Sequence, residues 1–550
     1  MAQIYDRFMR QRLSRRRLLA ASGGTALGAA VIAACGDSGG DGGTKGTATD
    51  EPRAEGTPRP GGILKLRDAS AYPNMSPFGP GIAALAAGLF DGFTFYDHLW
   101  YVPTDTGEVI KFLAAEIEQR SAREVGVTMG HAVYHNKPPV NGRAVKSTDL
   151  KASMERFRQE VPLGFSWLHE IFESLDTPDD NTMTYHQNRP WSWFFTSSNA
   201  GSPWTSSILP EEILDNDEIL QNDPIGSGRW MYDGSDNFSN VRLRKFPNWR
   251  EKGLPLLDGV DYTTIPDDTL AQAAFEAKNL DSLTGFTSRE LDDVVSRLGD
   301  DIITSSDLSR AYRTMMVKYE EPFLDERVRH GINLAINREE IMQIIDLGDG
   351  QLSGPVPPAH TTFVLDENDP DLQEYFRFDP QEARQMLDGA NFPFDQEIEL
   401  KYHTLPGNPD LAQLLAEQLR EVGLKIKLTG EDLTRWLANT LGPGNFQMTA
   451  FTHLPYEDPS LPLSFYREPN FMGYKNDDVE AAFQAAAQEL DPDRRIELTK
   501  EAQSVILRAW APQYTLYSAI SYNARWSYYK GVVEGRGSFG LFNSRAWLDK

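Results

Sequence analysis

The sequence predicts an α/β or α+β protein with more than one lobe, each lobe assembled from discontinuous segments. At 550 residues the chain is too long for a single core, so two or three lobes of ordinary domain size are expected. Strand-like alternation and helical 3.6-residue periods take turns along it instead of segregating. The closing stretch YTLYSAISYNARWSYYKGVV, from Tyr514, is aromatic and β-prone, so a late strand is expected to return to an earlier sheet.

The amino terminus is read first. SRRRLLA, from Ser14, leads into ASGGTALGAAVIAA, an apolar run diluted with Gly, Ser and Thr. A basic region, a short weakly apolar segment and small residues before a cut describe an export signal, here residues 1–34. Arg15 and Arg16, followed by Leu18 and Leu19, look like a twin-arginine signal. Leu18 to Ala34 is short for the roughly 20 apolar residues of a membrane-crossing helix, and its glycines weaken insertion further. Ile32-Ala33-Ala34-Cys35 resembles a bacterial lipobox, in which cleavage before the cysteine leaves its thiol for lipid attachment. Cys35 is the only cysteine, so no disulfide forms within the chain and no other thiol serves catalysis or a zinc cluster. From Cys35 to Gly62 nothing apolar is larger than Ala, so residues 35–59 are expected to be a flexible tether. Gly42 to Lys45 lacks the GxxxxGK[ST] spacing of a phosphate loop.

Folded sequence begins near Gly62 with the alternating strand ILKLRDAS. LKASMERF, from Leu150, is a short amphipathic helix; VRLRKFPNWR, from Val241, opens as a strand; TLAQAAFEAKNL, from Thr269, has helical period and no breaker. RAYRTMMVKYE, from Arg310, reads as a buried strand, and DERVRHGINLAI, from Asp325, as a helix that stops and restarts at Asn337. There Asn337 and Glu340 stand three apart as in a capping box. In FDPQEARQMLDGA, Asp379 is the N-cap, Pro380 the first helical residue and Gly389 the stop. DLAQLLAEQLREVG is an amphipathic helix ending at Gly423, followed by the strand LKIKLT. DVEAAFQAAAQEL and DRRIELTKEAQSVILRAW add two helices.

The balance of charge excludes some classes of function. Overall, 54 basic residues face 80 acidic ones, a net of −26; six arginines against Asp6 precede Cys35, so from Cys35 onward the net is −31. Such a surface argues against nucleic acid and against polybasic membrane docking.

Five blocks in order resemble the family 5 extracellular solute-binding proteins, the oligopeptide, dipeptide and nickel receptors of ABC importers. PGGILKLRD opens the fold. NGRAVKSTDLKASMERF is similar to a family segment of the same polarity, and IGSGRWM stands where the family has IGTGPY, with VRLRKFPNWR after it. EPFLDERVRHGINLAINREEIMQ resembles the family's most recognisable stretch. FDPQEARQMLDGA and LAQLLAEQLREVGLKIKL resemble a later pair. The resemblance implies a two-lobe periplasmic-binding-protein-like fold of the cluster C type with an extra domain in the first lobe. It places lobe I at about 60–98, 226–308 and 515–550, the insertion at 99–225 and lobe II at 309–514. It also implies a receptor that closes on its solute by hinge motion and delivers it to a permease driven by an ATPase, as an exported, lipid-anchored monomer without a cofactor.

Motifs of covalent chemistry are missing: there is no GxSxG, and His169-Glu170 lacks the second histidine of HExxH. His131 and His135 stand four apart but in a strand-like context, and only nine histidines exist, so no metal site is expected. FQMTAFTHLPYEDPSLPL, from Phe446, looks like the family's strand and loop that line the ligand cavity. An acidic residue a few positions before the Asp-Pro binds the ligand amine in peptide-binding relatives, but Leu454 and Pro455 stand there in this chain. Glu457 or Asp458 substitutes, or both merely cap the next segment. Trp100, Trp230, His453 and Tyr456 complete the candidate ligand-binding set, since solute clefts are mostly apolar walls with a few oriented polar groups. The rival reading is an exported hydrolase using a cleft carboxylate pair; a chaperone-like holder of unfolded peptides is a third.

Overall fold

The computed structural model describes residues 56–69, 74–78, 95–102, 109–160, 167–197, 207–236, 239–456, 458–532 and 544–550. Arg15, Arg16, Cys35, the expected signal, most of the tether and Glu457 lie outside them.

Strands from distant parts of the chain make the first lobe. Ile63–Asp68 pairs in parallel with Gly259–Thr264, which continues antiparallel to Asn240–Lys245 and then Trp230–Ser235. The turn IGSG feeds this sheet, and it requires its glycine: a Cβ on Gly226 would lie 1.8 Å from the carbonyl oxygen of Phe95. In a second sheet the late strand Tyr517–Trp526 lies between Ser282–Phe286 and Ile302–Leu308, antiparallel to both. Helices Asp268–Glu276 and Ser288–Leu298 accompany it, the latter started by a Thr287/Glu290 capping box. Phe275, Leu283, Val294, Ile302 and Trp526 form the core between them.

Residues 109–197 carry a separate antiparallel sheet in the order Ala114–Ser121, Glu124–Met129, Thr182–Gln187, Phe172–Asp176. Its strands alternate as half-buried strands do: Val125, Val127, Met183 and Tyr185 turn inward. The helix read from LKASMERF is longer than that fragment, Ser147–Glu160. His135 is buried, with its ring held between the Gly228 carbonyl and the Gly226 N–H, while His131 is exposed. The two histidines do not act as a pair.

The second lobe is one five-stranded sheet in the order Lys425–Glu431, Glu397–His403, Met448–Thr452, Arg313–Val317, Gln513–Thr515. The first three strands run parallel, and Arg313–Val317 is antiparallel to both neighbours. Helices Glu326–Leu334, Arg338–Ile345, Pro380–Gly389 and Asn408–Glu421 cover it. Asp325, Asn337 and Asp379 each accept a first-turn N–H, as their spacing predicts. Gly423 has φ +97° and ends its helix. The stop at Gly389 is displaced: Gly389 is still helical, and the left-handed residue is Asn391 at φ +55°, because asparagine tolerates that region nearly as glycine does. Met315, Val317, Ile332, Leu400, Leu415 and Leu419 are fully enclosed, and each such side chain contributes about 1.5–3 kcal/mol by leaving water.

Between the two lobes the chain crosses twice, from Leu308 to Arg313 and from Thr515 to Tyr517. The short strand Gly350–Leu352 braces this hinge by pairing with Tyr517, Ser518 and Ala519. Among the described residues no helix is long and apolar enough to cross a membrane.

Candidate functional site

Three parallel strands of the second lobe end at one edge of its sheet, and Arg313, the first residue after the hinge crossing, lies at the same edge. Loops at the carboxyl ends of parallel strands are where α/β sheets place their ligands. The loop Thr452 to Ser460 follows the central strand there, and it holds His453, Tyr456 and Asp458.

An aromatic row runs along this edge. His403 meets Trp436 at 5.0 Å between ring centres, Trp436 meets Phe451 at 4.9 Å, and Phe451 meets His453 at 4.6 Å. His453 then stacks on Tyr312 of the hinge crossing at 4.5 Å and touches Phe465 at 4.7 Å. The Nε1 of Trp436 donates to Thr449 Oγ1 at 3.1 Å. Every ring in the row is buried.

His453 has one partner at each ring nitrogen: Nε2 lies 3.5 Å from Nε2 of Gln513, and Nδ1 lies 3.2 Å from Tyr456 Oη. Burial holds His453 at a pKa of about 3, so the imidazole is neutral. Gln513 Nε2 also reaches Tyr312 Oη at 3.4 Å, while Gln513 Oε1 is buried and without a partner. The hinge floor is thus a neutral, hydrogen-bonded aromatic cluster. Leu454 and Pro455 are the partly exposed residues of the loop above it.

Asp458 ends the loop in a different role. Its Oδ1 accepts the Ser460 N–H at 2.6 Å, at the start of helix Ser460–Ser464, and Thr196 of the inserted subdomain bonds to it. Burial raises its pKa above the usual carboxylate value, against the pull of those bonds and of Arg495. The buried carboxylate is thus engaged by the start of that helix and by Thr196.

Trp100 and Trp230, also among the expected ligand-binding residues, are both buried. Trp100 is 0% exposed; it spends its indole N–H on the Phe195 carbonyl at 2.9 Å and packs among Tyr185, Phe194 and Phe195. Trp230 opens its strand opposite Lys245 at 1% exposure. Sequence reasoning missed Tyr312, Trp436, Phe451, Phe465 and Gln513, which come from separate segments and share no motif. An open groove of about 850 Å³ lies at the other end of the second lobe's sheet, lined by Tyr319, Arg329, Tyr474, Ala481, Ala485 and Leu498. Among the described residues no group of three or more His, Cys, Asp or Glu is placed to hold a metal ion.

Comparison with known proteins agrees with this architecture. Residues 140–472 match the family model of bacterial extracellular solute-binding proteins, family 5. The glutathione-binding protein GsiB of Salmonella choleraesuis is 23% identical over 364 residues, covering 63% of this chain and 69% of that protein. The structure of the periplasmic binding protein DppA from Helicobacter pylori in complex with peptide STSA superposes with TM-score 0.75 at 21% identity, over 90% of this chain and 99% of that one. AgaA from A. tumefacien R10, in complex with agropinic acid, superposes with TM-score 0.74 at 19% identity, over 89% and 99%.

Proposed function

Since the chain belongs to family 5 of the bacterial extracellular solute-binding proteins, we propose that it is the receptor of an ABC importer. In this reading it captures a peptide or similarly sized solute between its lobes and hands it to the membrane permease. The lobes would comprise residues 60–98, 226–308 and 515–550, and 309–514, with 99–225 inserted. The signal over residues 1–34, with Arg15 and Arg16, would direct export, and lipid on Cys35 would hold the protein at the membrane surface. One chain of lipid binds marginally, so stable anchoring needs a second acyl group.

The observation that supports this best is the loop Thr452 to Ser460. It stands at the carboxyl edge of the parallel strands and rests on Tyr312 of the hinge, so a solute touching it would act on the pivot between the lobes. Closure follows when solute contacts favour the shut arrangement by a few kcal/mol. Glutathione binding in one relative and peptide binding in one structural neighbour favour a peptide. A non-peptide solute is the second reading, favoured by Leu454 and Pro455 near the amine-anchoring position and by the engagement of Asp458 with Ser460 and Thr196.

Native mass spectrometry of protein purified from its host separates the two. A ladder of peptide masses supports the first, and a single non-peptide mass supports the second. Turnover of an added solute by the purified protein would overturn both in favour of a hydrolase. Cys35→Ser is expected to release a folded protein from the membrane fraction; its retention there would contradict the lipid anchor.

A further inference from the structure

Besides the bond between Asp458 and Thr196, the second lobe touches the inserted subdomain through a concentrated patch around Arg467. Arg467 of the second lobe is 7% exposed. Its Nη1 and Nη2 reach the two carboxylate oxygens of Glu170 in the inserted subdomain at 3.2 and 3.1 Å. On the other side its Nε and Nη2 reach Glu480 of its own lobe at 2.8 and 3.1 Å. Below the guanidinium lies the ring of Phe483, 4.8 Å away, and Trp191 and Trp193 of the inserted subdomain pack on that ring at 6.0 and 5.9 Å. Between the two tryptophans, Ser192 donates its N–H to the Ala487 carbonyl at 2.7 Å and its hydroxyl to the Ala486 carbonyl at 3.1 Å.

Glu170 and Arg467 are 297 positions apart, and the covalent path between their bodies runs back through the first lobe and the hinge. This contact is therefore the far end of a jaw whose pivot is Leu308 to Arg313 and Thr515 to Tyr517. The loop Thr452 to Ser460 lies between the two, stacked on the hinge through His453 and bonded to Thr196 of the inserted subdomain through Asp458.

We infer that Glu170, Arg467 and the Trp191/Trp193/Phe483 stack form a latch that holds the jaw shut, so that residues touching no solute set how tightly solute is retained. This rests on the reading of a closing receptor. Arg467 suits the role because its planar fork grips two carboxylates at once, and bidentate charge-assisted bonds are the strong ones. Glu480 keeps the arginine ordered when the jaw opens, which lowers the cost of closing again. Whatever favours the shut state raises apparent affinity in proportion to its population.

The test measures closure without any solute, so it stands or falls separately from solute capture. The full mature chain carrying Cys35→Ser, with dyes on cysteines introduced by Glu118→Cys and Lys425→Cys, reports the open and shut populations by single-molecule energy transfer. Glu170→Gln, which keeps the side chain's shape, is expected to lower the shut-to-open ratio about tenfold, and Glu170→Lys further, through loss of a charge-assisted bidentate bond. Glu480→Gln removes the same kind of bond from within the lobe and is expected to lower the ratio much less. Thermal melts check that the variants are folded. Unchanged populations in Glu170→Gln, or an equal effect of Glu480→Gln, would refute the latch.

Discussion

The two ends of the second lobe are built from opposite materials. At the hinge, Tyr312, His453, Tyr456 and Gln513 are neutral, buried and bonded to one another; at the far end, Arg467 is held between Glu170 and Glu480. Two other arginines of the same lobe sharpen the contrast. Arg329 donates to the backbone carbonyls of Trp510, Phe323, Leu324 and Ala509; Arg338 donates to the Thr515 carbonyl and to the side-chain Oδ1 of Asn333, with the Tyr375 ring 4.5 Å away, and leaves Nη1 buried without a hydrogen-bond partner. Fixed peptide dipoles suit a cation that never leaves its place. A pair of carboxylates, one on each body, suits a contact that breaks and reforms, because Arg467 keeps Glu480, and Glu170 keeps Arg189 at 3.6 Å, when the two part.

Acid should act on the buried neutral histidines and on the Arg467 contact in different ranges, and this is the largest effect expected. Burial lowers His98, His135, His360 and His453 to about 3, with nearby Arg229 and Arg250 adding to the shift of His98, Lys137 to that of His135 and Arg310 to that of His360. The unfolded chain takes up these protons near pH 6.5, as an ordinary imidazole does, and the native chain does not. Stability is therefore complete above that value and falls as pH drops from 6.5 toward 3, by about 2 kcal/mol per histidine between neutral pH and pH 5. Burial pushes Glu480 up, but its bonds to Arg467 and Gln484 win and leave it below 4.5. Its contribution is present above 4.5 and is lost only as pH falls below that. Urea midpoints that stay flat between pH 7 and 5 would contradict the neutral-histidine account.

Within the hinge end, Trp436→Ala is expected to cost about 3–5 kcal/mol in urea unfolding, because it empties the middle of the aromatic row. By contrast Gln513→Met should change stability by less than about 1 kcal/mol, since it removes an unpartnered buried oxygen along with two long bonds. A large loss there would mean that Gln513 organises the hinge. Salt gives the smallest effect. At about 1 M the screening length is about 3 Å, so the shut population should fall a few-fold through the partly exposed Glu480 and Glu170, while the unfolding cost of Trp436→Ala stays the same.

What could be read from sequence was local. Asp379, Pro380 and Asn337 announce their helices through neighbours three or four residues away. The last strand could be foreseen from its aromatic, β-prone composition, although composition did not say which strands it would join. Of the candidate ligand-binding residues, His453 and Tyr456 lie on a loop that follows a strand and could be placed from the sequence, whereas the neighbours of Trp100 and Trp230 are set by tertiary packing. Glu170 drew notice as half of a failed HExxH, and nothing near Arg467 in the chain points to it.

The strand Tyr517–Trp526 has a consequence for how the protein is made. Its two partners, Ser282–Phe286 and Ile302–Leu308, flank it on either side, so neither has its neighbour until the ribosome has passed Trp526. At about 5–20 residues per second the ribosome needs roughly ten to forty seconds to travel from one to the other. Throughout that interval the growing chain carries two unpaired strand edges, open to other nascent chains. Protection by a chaperone during that interval, more than the stability of the finished fold, should decide the yield of folded protein.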